Sequence, residues 1–479
     1  MVNGKPEGIR MERDGLGEMP IPADVYWGTH TARAVRNFPF SGYRLHPAFV
    51  CAFAQVKQAC ARTNALLGYL PGERGPAIMD ACAEMADGAL HDQIVVDAFQ
   101  GGAGTSTNMN FNEVIASRAA ELLGGHRGDR DLVSPLRHVN MHQSTNDAYP
   151  TALRVAVLNM LAELEKIVST LQETLQAKEA EFRDVVKVGR TELTDAVPMT
   201  LGMTFGAFAE AVARDRWRLF KCRERLKRVN LGGTAIGTGL GAPRDYVLAV
   251  AGHLAAITGL PVSRAENMVD ATQNGDVFAE VSGMLKACAA NLLKIASDLR
   301  LLSSGPDAGL GEIVLPALQA GSSIMAGKVN PVMPEAVTQA ALRVMANDQM
   351  IGMAVGMGQL ELNHLLPLIT HSLIESLALL TASCRGLAED CVPEIQARPE
   401  RCRTQVERSG ALATVLVPVL GYEAVERLAK DARQEGRTVP AQLVLSGIAS
   451  EETVDRLFSP RQLCKLGFTP GEFEEVNTP

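Results

Sequence analysis

The chain has 479 residues, of which 47% are hydrophobic and 21% are charged, and its formal net charge is −8. This length and apolar content suffice for a large core divided among two or three domains, which excludes a disordered or fibrous protein. Lysine and arginine are scattered without a basic run, so we expect no nucleic-acid partner.

Nine cysteines occur at wide spacing, and none of them forms a CxxC pair. An odd number without paired spacing predicts neither a disulfide framework nor a zinc site, and it is typical of reduced thiols in the cytoplasm. The N-terminal segment lacks an apolar targeting stretch, and the apolar segment 411–420 is too short to span a bilayer. We therefore expect a cytoplasmic protein without a membrane partner.

Helical periodicity dominates the middle of the chain. Apolar residues recur at intervals of three and four over 151–184, and Pro150 and Gly189 are the boundary signals. The same pattern predicts three further helices: 200–229, 277–302 and 334–385. The last should bend or break near Pro367. Helices of about 30 residues exceed the usual globular length and favour an elongated bundle.

The predicted architecture is mainly all-α, and it has three parts. A central bundle of long helices covers 146–395, between an N-terminal domain over 1–145 and a small C-terminal domain over 396–479. Two Gly-rich segments, 232–243 and 303–331, contain too many helix breakers to be helix interiors. They are predicted to be loops at the ends of bundle helices, where chemistry tends to lie.

Two polar clusters each precede a predicted helix start. The first is GTSTNMN at 104–110, and the second is QSTNDAYPT at 143–151. Neutral hydroxyl and amide groups beside the free N–H groups of a helix start suit a bound carboxylate. The same residue types also serve as helix caps, so each cluster taken singly has a purely structural interpretation.

Two more clusters lie further along the chain. GRTELTDAVPMT at 189–200 leads into the next long helix, and GSSIMAGKVNPVMPE at 321–335 is a loop stiffened by two prolines. The second of these fits neither GxxxxGK[ST] nor GxGxxG, which argues against nucleotide binding.

The cluster at 321–335 resembles the signature of the aspartase/fumarase superfamily, usually GSSxMPxKxNP, and the other three clusters follow in that family's order. The resemblance extends from about Arg10, through 25–31, to the segment near Gly467. It implies an L-aspartase-like fold and a homotetramer in which three subunits meet at each active site. It also implies elimination of ammonia from L-aspartate to give fumarate, with no metal and no organic cofactor.

The resemblance assigns a role to each matching residue. Ser322 matches the general base, whose alkoxide must be stabilised by neighbouring donors or by a cation such as Lys328. Lys328 and Asn330 match the groups that bind the α-carboxylate, and Asn146 and Thr191 match those nearest the amino group. Four hydroxyl groups match those that hold the β-carboxylate: Thr105, Ser144, Thr145 and Ser323.

Several details favour the ammonia-lyase branch over the fumarase branch. Ser106 stands where fumarases usually carry Gln, the second cluster reads STNDAYPT, and the signature ends in NPVMPE. A fumarase-like hydro-lyase acting on malate and a lyase for another amino-dicarboxylate remain alternatives. A structural relative without activity is a more remote one, because the matching base and lysine are both present.

Two departures from the family pattern bear on the site. Ala326 replaces the usual proline, which should make the 321–335 loop less stiff. Glu192 stands where the family commonly has His or Gln. A carboxylate there would repel a dicarboxylate unless it faces the ammonium group, so Glu192 is a candidate substrate-binding residue that selects an amine. The alternative is that Glu192 turns outward and acts as a cap or forms a salt bridge, for example with Arg190.

Overall fold

The structure is a computed structural model that describes residues 8–476. Residues 1–7, which are part of the segment predicted to lack a targeting stretch, lie outside the described residues. The protein is 62% helical and 7% strand, which confirms the predicted mainly α fold class. Four helices are 25 to 37 residues long.

The α-helices of the described chain are α1 Thr29–Asn37, α2 Pro47–Leu66, α3 Arg74–Ala86, α4 Thr105–Leu122, α5 Thr145–Glu181, α6 Leu201–Leu226, α7 Arg244–Thr258, α8 Met268–Gln273, α9 Asp276–Leu302, α10 Val332–Gly356, α11 Leu366–Arg385, α12 Pro399–Arg408, α13 Val417–Leu420, α14 Tyr422–Gln434, α15 Val439–Leu445, α16 Glu451–Leu457 and α17 Pro460–Leu463. Short π- and 3₁₀-helical segments occur at His91–Gln93, Pro135–Val139, Gly386–Cys391, Val392–Glu394, Gly410–Leu416 and Pro470–Phe473.

The strands form four two-stranded sheets, β1–β2, β3–β4, β5–β6 and β7–β8, and only β5 and β6 of these pair in parallel. Their bounds are β1 Ile9–Asp14, β2 Gly17–Pro22, β3 Val186–Thr191, β4 Thr194–Thr200, β5 Arg228–Val229, β6 Ser263–Arg264, β7 Ile313–Val314 and β8 Gln396–Ala397. The β3–β4 hairpin contains the third polar cluster.

The predicted helices are present, but one boundary was wrong. Helix α5 begins at Thr145 instead of 151, and Pro150 lies inside it. Proline removes the helical hydrogen bond to the carbonyl four residues earlier, and here a side chain donates to that carbonyl instead. Helices α6 and α9 agree with the prediction, and the fourth predicted helix is interrupted before Pro367, between α10 and α11.

The chain forms two compact units, each assembled from three separate stretches. The first unit contains the described residues up to Glu165, then Trp217–Ala289 and Ala341–Thr381. The second contains Lys166–Arg216, Ala290–Ala340 and the described residues from Ala382 onward. The three-part division with boundaries near 145 and 395 stays a prediction.

An aromatic core in the first unit joins α2, α4 and α5. The ring of Phe53 stacks on Phe111 at 4.5 Å between centroids, and Phe49 and Phe53 both contact Tyr149. Tyr149 also packs against Gly104, where an added Cβ would lie 2.3 Å from its ring. The glycine therefore lets the start of α4 approach the start of α5 closely.

The core of the second unit supports the β3–β4 hairpin. Val188 of β3 is buried in a cluster with Leu416, Leu443 and Leu457 from the C-terminal segment. Gly189 has no room for a side chain, because an added Cβ would lie 2.6 Å from the Val197 carbonyl oxygen. The base of the hairpin is thus held by apolar packing, whereas the residues at its tip are exposed.

Among residues 8–476, one apolar helical stretch, Leu366–Glu394, is long enough to cross a membrane, and its mean hydropathy is 1.3. However, 67% of the apolar window within this stretch is buried inside the structure. Such burial is typical of the core helix of a soluble protein.

Candidate active site

The first polar cluster lies at the start of α4. Gly104 is the N-cap and has a φ of 97°, a left-handed conformation that suits glycine. Thr105 is exposed, and its hydroxyl donates to the Gly102 carbonyl oxygen at 2.8 Å. Gly104 has no capping side chain, but Gln100 Oε1 accepts the Thr107 N–H and the Gly102 carbonyl oxygen accepts the Thr105 N–H, both at 2.9 Å. The Thr105 hydroxyl and the positive end of the helix dipole are therefore the features of this helix start that suit an anion.

The second polar cluster forms a capping box at the start of α5. The Ser144 hydroxyl oxygen accepts the Asn146 N–H at 3.2 Å, and the Asp147 carboxylate accepts the Ser144 N–H at 2.9 Å. Thr145 is buried, whereas Ser144 and Asn146 are partly exposed. Capping is therefore compatible with the predicted binding role of this cluster, because the capping hydrogen bonds hold in place the residues that would contact a substrate.

A buried lysine joins the first two clusters. Lys57 of α2 is fully buried, and its Nζ donates to the side-chain oxygens of Asn108 and Gln143 at 2.6 and 2.8 Å. A third bond, to Asn140 Oδ1, has a length of 3.2 Å. Burial lowers the pKa of Lys57 to about 8. The structure thus brings Thr105 and the Ser144–Asn146 turn together on one rigid support.

The third polar cluster is the tip of the β3–β4 hairpin. Thr191 pairs with Thr194 across a two-residue turn of Glu192 and Leu193, whose φ angles are 54° and 62°. Two successive non-glycine residues in this region are costly, and such strain tends to occur at functional sites. Thr191 and Glu192 are both exposed at the tip.

Arg190, the residue before the tip, has partners other than Glu192. Its guanidinium lies 2.6 Å from Glu312 Oε1 and 3.8 Å from Asp195 Oδ1. Glu312 is fully buried, and Lys187 Nζ lies 3.2 Å from its second oxygen, outside hydrogen-bonding alignment. The alternative pairing of Glu192 with Arg190 was therefore wrong. The Glu192 side chain is exposed at the tip.

The fourth polar cluster is a loop closed on itself. The Gly321 N–H donates to the Lys328 carbonyl oxygen at 3.0 Å, and Asn330 Nδ2 donates to the Gly321 carbonyl oxygen at 2.8 Å. An added Cβ at Gly321 would lie 2.4 Å from that Lys328 oxygen. Ser323 and Lys328 are exposed on the loop. Asn330 thus closes the loop through its amide nitrogen.

The Ser322 hydroxyl oxygen accepts two backbone hydrogen bonds. Its Oγ accepts the backbone N–H groups of Met325 at 2.9 Å and of Ile324 at 3.2 Å. Two donors aimed at one oxygen favour its deprotonated form, as they do in an oxyanion hole. Ser322 is also partly exposed as a residue.

The structure places the predicted site residues in two groups. Thr105, Ser144, Thr145 and Asn146 belong to the first unit, and the remaining ones belong to the second: Thr191, Glu192, Ser322, Ser323, Lys328 and Asn330. The roles assigned to them stay predictions. Sequence reasoning missed Lys57, Asp147 and Glu312, the buried charges beneath these groups. An isolated charge inside an apolar stretch was the available signal for Lys57 and Glu312.

In residues 8–476, no group of three or more His, Cys, Asp or Glu side chains could hold a metal ion. The prediction of a reaction without metal or cofactor stays a prediction.

Comparison with known proteins gives a consistent result. Residues 17–346 match the family model described as Lyase, and residues 412–465 match the one described as Fumarase C C-terminus. The chain is similar to the aspartate ammonia-lyase of Bacillus subtilis (strain 168), with 45% identity over 475 residues that cover 99% of this chain and 100% of that protein.

Solved structures show the same likeness. The fumarate lyase:delta crystallin from Brucella melitensis bound to cobalt has a TM-score of 0.91 and 46% identity, covering 96% of this chain and 100% of that one. The class II fumarase from Schistosoma mansoni has a TM-score of 0.89 and 33% identity, covering 95% and 99%. The similarity therefore spans both compact units.

Proposed function

The chain belongs to this lyase family, and we propose that it catalyses the reversible elimination of ammonia from L-aspartate to give fumarate. The observation that carries the proposal is the 45% identity to an aspartate ammonia-lyase over 99% of the chain. The identity to the class II fumarase is lower, at 33%, which favours an amine over a hydroxyl leaving group.

In the proposed mechanism Ser322 removes the proton from the carbon next to the β-carboxylate. A serine hydroxyl is too weakly acidic to act as a base at neutral pH unless its alkoxide is stabilised. The N–H groups of Ile324 and Met325 supply that stabilisation, and the exposed Lys328 on the same loop adds a positive charge. The arrangement thus supports proton abstraction by this residue.

Loss of the proton gives an aci-carboxylate with an additional negative charge. Donors placed where this charge develops lower the barrier more than donors that bind the ground state. The exposed Thr105 at the start of α4 and the Ser144–Thr145 turn offer hydroxyl donors for the β-carboxylate. Ser323 is a further hydroxyl for the same group, and Lys328 with Asn330 would bind the α-carboxylate.

Expulsion of ammonia then requires an ammonium group held near acceptors. We assign this end of the substrate to Asn146, Thr191 and Glu192. The Glu192 carboxylate lies exposed at the hairpin tip without a pairing Arg190 guanidinium, so it is available to a cationic group. A negative charge here would favour L-aspartate over malate.

The protein is proposed to be a cytoplasmic homotetramer whose active sites combine clusters from several subunits. Large apolar side chains on the surface of the single chain support a partner copy. Trp217 and Phe220 of α6 stack at 5.9 Å, and they are 62% and 45% exposed. Contiguous apolar surface of this kind often marks a protein–protein interface.

Fumarate formation from L-aspartate, followed by its ultraviolet absorbance, tests the function directly. L-malate in parallel separates a hydro-lyase, and other amino-dicarboxylates separate a lyase of different specificity. We expect turnover of L-aspartate and little or none of L-malate. Turnover of L-malate alone would contradict the proposal, and turnover of neither would favour a structural protein.

A further inference from the structure

Asp147, two residues after the start of α5, is a fully buried carboxylate that no assigned step of the reaction uses. One of its oxygens accepts the Ser144 N–H at 2.9 Å. The other accepts the N–H groups of Gly232 at 3.1 Å and of Thr234 at 3.0 Å. One carboxylate therefore ties the capping box to the loop 230–241, which lies between β5 and α7 and includes most of the Gly-rich segment 232–243.

The same loop also fixes the side chain of Asn146. Asn146 Nδ2 donates to the Ala235 carbonyl oxygen at 2.7 Å. A carbonyl oxygen can only accept, so this bond determines which end of the amide faces the loop. The nitrogen points to Ala235, and Oδ1 is turned away from it on a partly exposed side chain.

The shape of the loop is itself closely determined. Thr234 has a φ of 54°, and its hydroxyl donates to the Leu240 carbonyl oxygen at 2.9 Å. Gly237 packs on the backbone of Met268, where an added Cβ would lie 2.4 Å from the carbonyl carbon. A non-glycine residue in the left-handed region persists only where its surroundings hold it there. Ala235 is thus presented by a rigid support.

We propose that Asp147 is a positioning residue, whose carboxylate holds loop 230–241 against the start of α5 so that Asn146 presents Oδ1 to the amino group of the substrate. An ammonium group has three donors and no acceptor, so an oriented amide oxygen matches it. The inference rests on the proposed function, because it concerns the amino end of L-aspartate.

Asp147→Asn tests the assignment, because asparagine preserves the shape of the side chain. Its oxygen can still face Ser144, but its NH₂ group then meets the N–H donors of Gly232 and Thr234. We expect kcat/KM for L-aspartate to fall about 10- to 100-fold, mainly through KM. The inhibition constant of succinate, which has no amino group, should change by less than about threefold.

Glu113→Gln is a matched control. Glu113 is a buried carboxylate of α4 that accepts backbone N–H groups from Gly28, His30 and Thr31. Like Asp147→Asn, Glu113→Gln places an NH₂ group against backbone N–H donors, so it should also lower the stability of the fold. It should nevertheless keep the wild-type KM for L-aspartate. Parallel loss of L-aspartate and succinate binding in Asp147→Asn would overturn the positioning role, as would an unchanged KM in a folded variant.

A second variant covers the case in which Asp147→Asn fails to fold. Thr234→Gly keeps the N–H bond to Asp147 but lets the loop move, and it should raise KM for L-aspartate without affecting succinate; no change in KM would count against the role. A crystal structure of either soluble variant is a readout that does not depend on activity. If the Asn146 amide is still bonded to Ala235 in Asp147→Asn, the positioning role of Asp147 is refuted whatever the substrate is. An inactive wild-type enzyme would refute only the proposed function.

Discussion

Asn230 supplies the hydrogen bond that Pro150 withholds from helix α5. Pro150 has no N–H, so the carbonyl of Asn146, four residues earlier, lacks its helical partner. Asn230 Nδ2 donates to that carbonyl oxygen at 2.9 Å, and it also donates to Thr272 Oγ1 at 2.9 Å. The helix can therefore begin at Thr145 and continue through the proline.

Asn230→Ala should lower the free energy of unfolding by about 1–3 kcal/mol, because the Asn146 carbonyl loses its partner. The cost should be smaller in a Pro150→Ala background, where the restored N–H can bond the same carbonyl. Urea denaturation of the two single variants and the double variant measures this coupling. Equal costs in both backgrounds would show that the two residues act independently.

Ser322→Ala should lower kcat by about 10²- to 10⁴-fold, since it removes the proposed general base. Binding of succinate and the oligomeric state should remain close to wild type. Ser297→Ala, an exposed serine on α9, is the control. Steady-state kinetics measure kcat of both variants. A kcat of Ser322→Ala near that of the wild-type enzyme would rule out Ser322 as the base.

Lys328→Ala should raise KM and also lower kcat, the latter by about 10²- to 10³-fold. The lysine charge is proposed to act both on the bound dicarboxylate and on the aci-carboxylate that forms from it. Kinetics with L-aspartate and inhibition by succinate separate the two effects. An unchanged KM together with unchanged succinate inhibition would mean that the side chain does not reach the substrate.

Glu192→Gln should reduce the preference for L-aspartate over L-malate by about two- to fivefold, the range expected for one exposed ion pair. The quantity to compare is the ratio of kcat/KM for the two substrates, or succinate inhibition if malate turnover is too slow. Asp195→Asn removes a carboxylate from the same hairpin and should leave the ratio unaltered. If both variants give the parental ratio, Glu192 does not determine specificity.

Because of the titration of Asp147, enzyme activity and folding stability should change with pH in opposite directions. Burial raises the pKa of Asp147 from 3.8 to about 6, although its backbone hydrogen bonds and Lys57 oppose the shift. Protonation removes acceptors from the capping box and the loop, so kcat/KM should fall as the pH decreases through about 6. Because the folded-state pKa is the higher one, the stability contributed by this group is present below 3.8 and is lost as the pH rises through about 6.

Other groups facing Asp147 do not titrate in that interval. Burial raises the pKa of Cys60 to about 12 and that of Tyr246 well above its usual value, and the pKa of Lys57 is about 8. The acid limb of the pH–rate profile and the trend in stability should therefore both be absent from Asp147→Asn. An identical acid limb in the variant would assign it to another group.

The elements with strong periodicity could be predicted from the sequence, and the contacts that fix the site could not. Apolar spacing identified α6 and α9 closely because each buries one face. The start of α5 was missed because Pro150 normally precedes a helix, and its compensation by Asn230 comes from 80 positions further along the chain. A local pattern carries no information about such a partner.

The candidate site shows the same division. Motif order placed Ser322 in a loop, but its two backbone donors depend on the turn geometry at 322–325. Pairing of Glu192 with Arg190 was an expected alternative from adjacency alone. This pairing was wrong because the carboxylate of the buried Glu312, more than 100 residues further along the chain, accepts a hydrogen bond from the Arg190 guanidinium. Long-range electrostatic partners of this kind become visible only in three dimensions.

The division of each unit into three stretches also has a consequence during translation. The first unit requires residues up to Thr381, and the second requires segments beyond Ala382. A nascent chain that ends near residue 300 has therefore delivered neither unit in full. At a synthesis rate of about 5–20 residues per second, the rest of the chain takes roughly 9–36 seconds to synthesise, and incomplete apolar surfaces are exposed during that time. Ribosome-bound chains of this protein should need protection by chaperones until late in synthesis.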